Sequence, residues 1–475
     1  MKKKIFGSLC FGIVLILLLF LTKNVFSFKY GDGIYGMEKF YEQEEGTVDV
    51  LILGPSLAFA DINTATLWSE YGISAFHLGG SIQPMWNTYY YMKEALKYQR
   101  PKVMILEASV TNMMSDYSDQ SRIIKNTYGM KWSKDKLEAI RVSAPREQWN
   151  EYLFEHLQYH SRYEEISRAD FLANQGSLQY EDWKGFMCLM KTVPQEGTDV
   201  SHVKERSELS SKTEEYYRKT IELAKEEGIP LLIVVSPHAG ISEWSQTIYN
   251  TAADIAGEYQ VPFINYNLCL EEIGLDYSTD MADPMHLNYK GNQKYTRNIA
   301  EYLSERYNLT DHRGDERYDS WERNSNWYLA AMSYQEIVEC TDLTEMISLL
   351  QREDLDLVIS VDGTYSQEDG NLRAFLQAFQ IPSNGDTGIW IVSEGKADSL
   401  GWGPEQIRQI SYPYHVLTMK SAWSQEKGQY TNSVSFDTTF YKQVENGINV
   451  VLCSKVTGEL VDSFGILAGE IEIYR

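Results

Sequence analysis

The sequence predicts an α/β protein: a doubly wound parallel sheet in one domain, a smaller α/β domain after it, and a transmembrane helix before it. Three observations carry this expectation. Short apolar runs at 48–53, 73–77, 102–107, 230–235 and 261–264 alternate with helical stretches at 84–99, 213–227 and 288–306, as strands and covering helices of a parallel sheet do. A polar stretch, Asp311-His312-Arg313-Gly314-Asp315-Glu316-Arg317, then separates this pattern from a second set of strands. Finally, Lys2-Lys3-Lys4 precedes an uncharged apolar run at 5–22, close to the roughly 20 residues needed to cross a bilayer.

Positive charge ahead of the run at 5–22 keeps the amino terminus cytoplasmic and sends the remainder outside. The reading preferred for 1–28 is a retained single-pass anchor in the cell membrane with an extracytoplasmic ectodomain; the alternative is a signal cleaved near Ser27, giving a secreted protein. Cys10 lies early in the run, which argues against a lipid-anchored terminus. The other cysteines, Cys188, Cys269, Cys340 and Cys453, are few and scattered and imply no disulfide framework. Residues 29–46 read as a linker, 47–310 as the first domain, 311–328 as a second linker and 329–475 as the last domain.

In the first domain, the strand at 48–53 runs into Gly54-Pro55-Ser56-Leu57, so Ser56 sits at the carboxyl end of a strand. Open α/β sheets bind their ligands there. A serine hydroxyl needs a base to become a nucleophile. Asp283-Pro284-Met285-His286 supplies one: three residues apart, Asp283 can hold one ring nitrogen of His286 while the other faces a hydroxyl. Asn288 suits the N-cap of the last helix and leaves His286 in the loop before it. Taken singly, a Gly-x-Ser or an Asp-x-x-His is more often structural than catalytic. Their order, one after the first strand and the other before the last helix, gives them weight.

Other polar residues have both bland and functional readings. His77, in an apolar run, reads as a packed core histidine, and His156 and His160 as surface residues of an exposed helix. His238, in Ser236-Pro237-His238 after the strand at 230–235, is a rival base or substrate contact, although no carboxylate stands near it in sequence. Gln83 and Asn112 are candidate substrate contacts, Gln83 equally readable as a helix-start residue. The backbone N–H groups of Ser56, Gly79 and Gly80 are candidates for an oxyanion hole, because glycine lets the main chain approach a developing negative charge. No Cys or His cluster has metal-ligand spacing, and no cofactor motif is present.

These motifs resemble the SGNH (GDSL-like) hydrolase and acyltransferase superfamily, whose first block is Gly-Asp-Ser-Leu and whose last is Asp-x-x-His. Here Pro55 replaces the usual aspartate. Phe76-His77-Leu78-Gly79-Gly80-Ser81-Ile82-Gln83-Pro84-Met85-Trp86, followed by a Tyr-rich helix and Pro101-Lys102-Val103-Met104-Ile105-Leu106-Glu107, is similar to the second block of the membrane-anchored extracytoplasmic branch. That branch is typified by alginate O-acetyltransferases and the D-alanyl transfer protein of teichoic acid synthesis. The third block, Gly-x-Asn-Asp, is absent; Glu107-Ala108-Ser109-Val110-Thr111-Asn112-Met113 stands in its place, with Asn112 a substitute donor.

The resemblance, over about 47–305, implies a flavodoxin-like three-layer fold and a serine-dependent O-acyltransferase acting on a cell-envelope or exported polysaccharide. It also implies an acyl donor supplied by a polytopic membrane acyltransferase. The alternatives are a carbohydrate esterase of the same fold and an inactive scaffold presenting the last domain to a glycan or protein.

The long insertion at 113–209 is rich in Tyr and Trp, with helices expected near 132–142 and 146–167, and reads as a substrate wall or lid. In the last domain, strands are expected at 357–362, 388–392 and 447–452 and a helix at 343–351. The stretch from Asn446-Gly447-Ile448-Asn449-Val450-Val451 to Thr457-Gly458-Glu459-Leu460-Val461-Asp462-Ser463 resembles the interleukin-like EMT inducer (ILEI/PANDER) domain, with its Gly-Ile-Asn strand last instead of first. The resemblance implies a recognition role. The formal charge of −24 becomes −28 without the four lysines of the anchor segment, which argues against binding nucleic acid or an anionic lipid surface through broad electrostatics.

Overall fold

Val50–Gly54 (β1), Ala75–Gly79 (β2), Val103–Glu107 (β3), Leu231–Val235 (β4) and Phe263–Asn265 (β5) form a parallel sheet in the order β2-β1-β3-β4-β5. The chain is seen in a computed structural model that describes residues 2–28, 31–164, 166, 184–363, 369–382, 387–401, 403–412, 415–426, 428–437, 439–470 and 472–475. It divides into two units, Met1–Asn326 and Trp327–Arg475.

Strand alternation explains why the sheet is covered on both sides. Leu51, Leu53, Phe76, Leu78, Met104, Leu106, Leu231 and Ile233 join one core with residues of helices Met85–Ala95, Ser211–Glu226 and Glu243–Glu258. Val50, Ile52, Ala75, Val103, Ile105, Leu232 and Val234 join the opposite core with residues of helices Thr64–Tyr71 and Tyr289–Arg306. Successive side chains point to opposite faces, so continuous apolar runs are what a doubly covered sheet requires. The chain reverses its direction of winding between β1 and β3, where such sheets open a crevice at the strands' carboxyl ends.

Both expected linkers fold onto the first unit instead. Met37 and Phe40, on helix Gly36–Tyr41, are fully buried in its core. In the second, His312 Nε2–H donates to Asp49 Oδ2 at 2.9 Å and the ring stacks on Tyr318, and Trp321 donates to the Ala75 carbonyl at 3.1 Å. Their polar composition hid a few large apolar anchors. The helix expected at 146–167 is instead a series of short segments, Arg146–Gln148, Trp149–Leu153, Glu155–Tyr159 and His160–Glu164; its end, like most of 165–183, lies outside the described residues. His156 is exposed, with Nε2 at 3.1 Å from the Leu19 carbonyl, and the side chain of His160 lies outside the described residues.

Among the described residues no helix is long and apolar enough to cross a membrane. The expected anchor falls on helix Lys2–Phe26, several of whose side chains lie outside the described residues.

The second unit differs from a parallel α/β layout because its strands are antiparallel. Leu355–Asp362 (β6), Gly388–Ser393 (β7), Lys396–Ser399 (β8), Gly447–Ser454 (β13), Leu460–Leu467 (β14) and Ile473–Tyr474 (β15) form a sheet ordered β15-β14-β13-β6-β7-β8. The intervening strands Glu405–Ser411 (β9), Val416–Ser424 (β10), Gln429–Phe436 (β11) and Thr439–Phe440 (β12) form a second, four-stranded sheet, which the sequence reading did not foresee. Val451 and Cys453 of β13 pack with Leu417 and Met419 of β10, while Ile448, Val450 and Leu452 face helices Leu343–Leu349 and Gly370–Ala378.

Candidate active site

Ser56 is the first residue of helix Ser56–Asp61, reached from β1 through Gly54 and Pro55. Gly54 has φ +147°, and a Cβ there would lie 2.8 Å from Glu107 Cβ, so the turn tolerates only glycine. Pro55, at the N-cap, has no N–H to leave unpaired at a helix start. The turn lifts Ser56, half-buried, at the carboxyl end of β1 beside the β1/β3 crevice.

From the far end of the domain comes a pinned hairpin. Met281 and Leu287 form a β-bridge, Ala282 N–H donates to the His286 carbonyl at 2.9 Å, and Gly240 N–H donates to the Pro284 carbonyl at 2.7 Å. Asn288 then caps helix Tyr289–Arg306, accepting from the N–H groups of Lys290 and Gly291. The hairpin brings His286 Nε2 to 2.9 Å from Ser56 Oγ and His286 Nδ1 to 2.9 Å from Asp283 Oδ2. One tautomer satisfies both contacts: Nδ1–H donates to the carboxylate and Nε2 accepts from the serine hydroxyl. Asp283 Oδ1 also accepts from the N–H groups of Met285 and His286, at 2.7 and 3.0 Å. Partial burial pushes the Asp283 carboxyl up, but the imidazole and these amides outweigh it and hold it below the usual range. The three side chains form a single hydrogen-bonded series able to take a proton from Ser56 and stabilise the imidazolium that results.

Gly79 pairs with Gly54 at the last rung between β1 and β2, and Gly80 follows it. A Cβ at Gly80 would lie 2.5 Å from Asn126 Oδ1, so a larger residue there would have to displace the Asn126 side chain. Neither Ser56 N–H nor Gly80 N–H has an acceptor among the described residues, leaving both able to donate to an oxyanion.

The three candidate substrate contacts are placed otherwise. Gln83 is fully buried, its amide nitrogen on Asn126 Oδ1 at 3.2 Å and its oxygen accepting from Thr88 Oγ1 at 3.0 Å, so its polar ends are spent on packing. Asn112 donates into helix Glu243–Glu258, to Ser245 Oγ and Tyr249 OH at 3.3 Å each. His238 is buried, its Nδ1–H on the Ser236 carbonyl at 2.9 Å and its backbone N–H on Asn267 Oδ1 at 2.9 Å. Burial, and secondarily the nearby His286, lower its pKa and favour a neutral ring. It is His286, not His238, that meets Ser56. His77 is a core residue: burial pushes it down to about 4, and Nε2 lies 2.6 Å from the Ile62 carbonyl.

Two buried carboxyls escaped the sequence reading. Glu107, at the end of β3, accepts from Ser236 N–H at 3.0 Å through Oε1, and from Ser109 N–H and Oγ–H at 3.1 and 2.7 Å through Oε2. Burial raises it to about 7 against the opposing pull of these donors. Asp61, ending the Ser56 helix, accepts from Leu287 N–H at 2.9 Å, while its Oδ2 has no hydrogen-bond partner among the described residues; burial drives its pKa well up. It joins the helix that begins with Ser56 to the residue after His286. An acid ending a buried strand was the available signal for Glu107; Asp61 had none beyond its place five residues after Ser56.

The described part of the insertion lies along both halves of the site. Met187 N–H donates to the Phe59 carbonyl at 2.7 Å and Val193 N–H to the Met281 carbonyl at 2.8 Å. Comparison of the chain with models of protein families and with curated proteins finds no match.

Proposed function

We propose that this chain is an extracytoplasmic, membrane-anchored serine O-acyltransferase of SGNH type that modifies hydroxyls of a cell-envelope or exported glycan. The observation that carries the reading is the Ser56–His286–Asp283 series, with Ser56 Oγ and His286 Nε2 at 2.9 Å, at the carboxyl edge of a parallel sheet. His286 Nε2 takes the Ser56 proton as Oγ bonds to an acyl carbonyl carbon, and the carbonyl oxygen becomes an oxyanion facing the N–H groups of Ser56 and Gly80. Collapse of the adduct breaks the bond to the leaving alcohol, which receives the proton from His286. A sugar hydroxyl then gives its proton to His286, attacks the acyl carbon and releases Ser56, which recovers that proton. Water in place of the sugar gives hydrolysis.

Anchoring is supported by the first helix. Its 25 residues extend about 37 Å at 1.5 Å each. Phe6, Phe11, Ile13, Val14, Leu17 and Leu18 on it are exposed. Although no described helix is long and apolar enough to cross a bilayer, these exposed apolar side chains favour contact with a nonaqueous surrounding such as a membrane. The second unit is assigned to recognition of a glycan or protein, on its ILEI-like stretch alone.

The test is labelling of one portion of the full-length protein in detergent with a fluorophosphonate, and incubation of a separate, unlabelled portion with an acetyl donor and candidate oligosaccharides. Labelling lost in Ser56→Ala together with acetylated sugar supports transfer. Labelling with release of acetate alone makes the protein an esterase, and absence of labelling leaves an inert scaffold.

A further inference from the structure

The turn that follows β2 is held in an unusual conformation from outside the site. Gln83 N–H closes it onto the Gly80 carbonyl at 3.0 Å, and Ile82 within it has φ +47° with an exposed side chain. A β-branched residue rarely adopts that region, and the strain persists only where neighbours over-determine it.

The described neighbours come from two segments, 32–33 and 125–126. Asp32 Oδ2 accepts from Ser81 N–H at 2.8 Å, and Lys125 Nζ pairs with Asp32 Oδ1 at 3.1 Å. Asn126, next to Lys125, donates to the Ser81 carbonyl at 3.4 Å and accepts from Gln83, with its Oδ1 set against Gly80. Tyr91 OH bridges the two sides, within 3.4 Å of the Gly33 carbonyl and 3.3 Å of that of Lys125. Asp32 lies just beyond the N-terminal helix, whose end is itself seated on the unit: Lys23 pairs with the buried Glu155 at 3.3 Å and Arg162 donates to the Phe26 carbonyl at 3.3 Å.

We infer that Asp32 is a positioning residue: its carboxylate, fixed by Lys125, orients the Gly79–Gln83 turn so that the Gly80 N–H meets the oxyanion formed at Ser56. The stem of the N-terminal helix is thus a working part of the site. The inference rests on the reading of Ser56 as nucleophile, and it goes beyond that reading by placing a residue of the stem in control of transition-state stabilisation.

Steady-state hydrolysis of p-nitrophenyl acetate by the full-length chain in detergent, with Ser56→Ala, Asp32→Ala and Asp32→Asn, tests it. A misdirected oxyanion donor affects the transition state and not ground-state binding, so Asp32→Ala lowers kcat about ten- to a hundredfold with KM within about threefold. A boronic acid that mimics the tetrahedral adduct loses affinity by a similar factor. Asp32→Asn keeps an oxygen for the Ser81 N–H and holds kcat within about fivefold of wild type. Wild-type kcat in Asp32→Ala, alongside loss of turnover in Ser56→Ala, overturns the inference and leaves the nucleophile standing. Equal losses in Asp32→Ala and Asp32→Asn, with KM rising and melting temperature falling in step, reduce Asp32 to a structural role. Wild-type turnover in Ser56→Ala overturns the reading beneath it.

Discussion

Replacing Glu107 by glutamine gives a pH-dependent stability difference whose size follows from its burial. The carboxyl is fully buried and raised from an ordinary 4.5 to about 7, chiefly by desolvation. At about 1.4 kcal/mol per pH unit, that interval corresponds to roughly 3 kcal/mol. A raised carboxyl favours the folded state while protonated, so this contribution is fully present below pH 4.5 and is lost as pH rises through 7. The amide that replaces it in Glu107→Gln does not titrate. Its single carbonyl serves either the Ser236 N–H or the Ser109 pair, leaving one side facing an NH2 group, at a cost of about 1–3 kcal/mol. Glu107→Gln is therefore less stable than wild type at pH 4.5, and the gap closes or reverses by pH 8. Other groups shift the absolute curves, Asp61 in the same sense and Asp283 in the opposite one, but largely cancel in the difference. Urea unfolding of wild type and variant at both pH values, following the transition of the first unit, reads it out. A difference that is the same at pH 4.5 and pH 8 refutes the reasoning.

Asp283→Asn removes the acceptor that fixes the His286 tautomer, and we expect kcat for ester cleavage to fall on the order of 10³-fold with little change in melting temperature, checked by stopped-flow release and calorimetry. Leu51→Ala empties a fully buried site on an interior strand of the sheet and costs about 2–5 kcal/mol by urea unfolding. In the second unit, burial pulls the pKa of His415 down, but Asp437 at 2.7 Å and Glu459 at 3.3 Å overcome it and raise it above 6.5. Its stabilisation is full below pH 6.5 and is lost as pH rises through the raised value, so His415→Gln flattens the melting temperature of that unit over this range.

What was legible in the sequence was whatever periodicity and spacing encode. The five parallel strands stand out because both faces are covered, making each a continuous apolar run such as Val50-Leu51-Ile52-Leu53. Ser56 and His286 could be paired only through the order of elements, since 230 residues separate them and the sheet topology alone brings them together. The stem at 31–41 and the segment at 311–321 looked like linkers because Met37, Phe40 and Trp321 are isolated apolar anchors among polar residues. Gln83 shows a related limit: a polar residue beside a glycine pair suggests a binding loop, and nothing local reveals that Asn126 and Thr88 satisfy it. Asp32 and Asp61 meet partners 49 and 226 residues away, beyond any local pattern.

The most direct test of the central claim is mass spectrometry of the full-length protein, mixed with p-nitrophenyl acetate and quenched in acid before turnover is complete. The account requires one acetyl group on the peptide bearing Ser56, absent in Ser56→Ala and strongly reduced in His286→Ala. Release of p-nitrophenol at the wild-type rate by Ser56→Ala, or acetyl found on other residues with Ser56 unmodified, would contradict it.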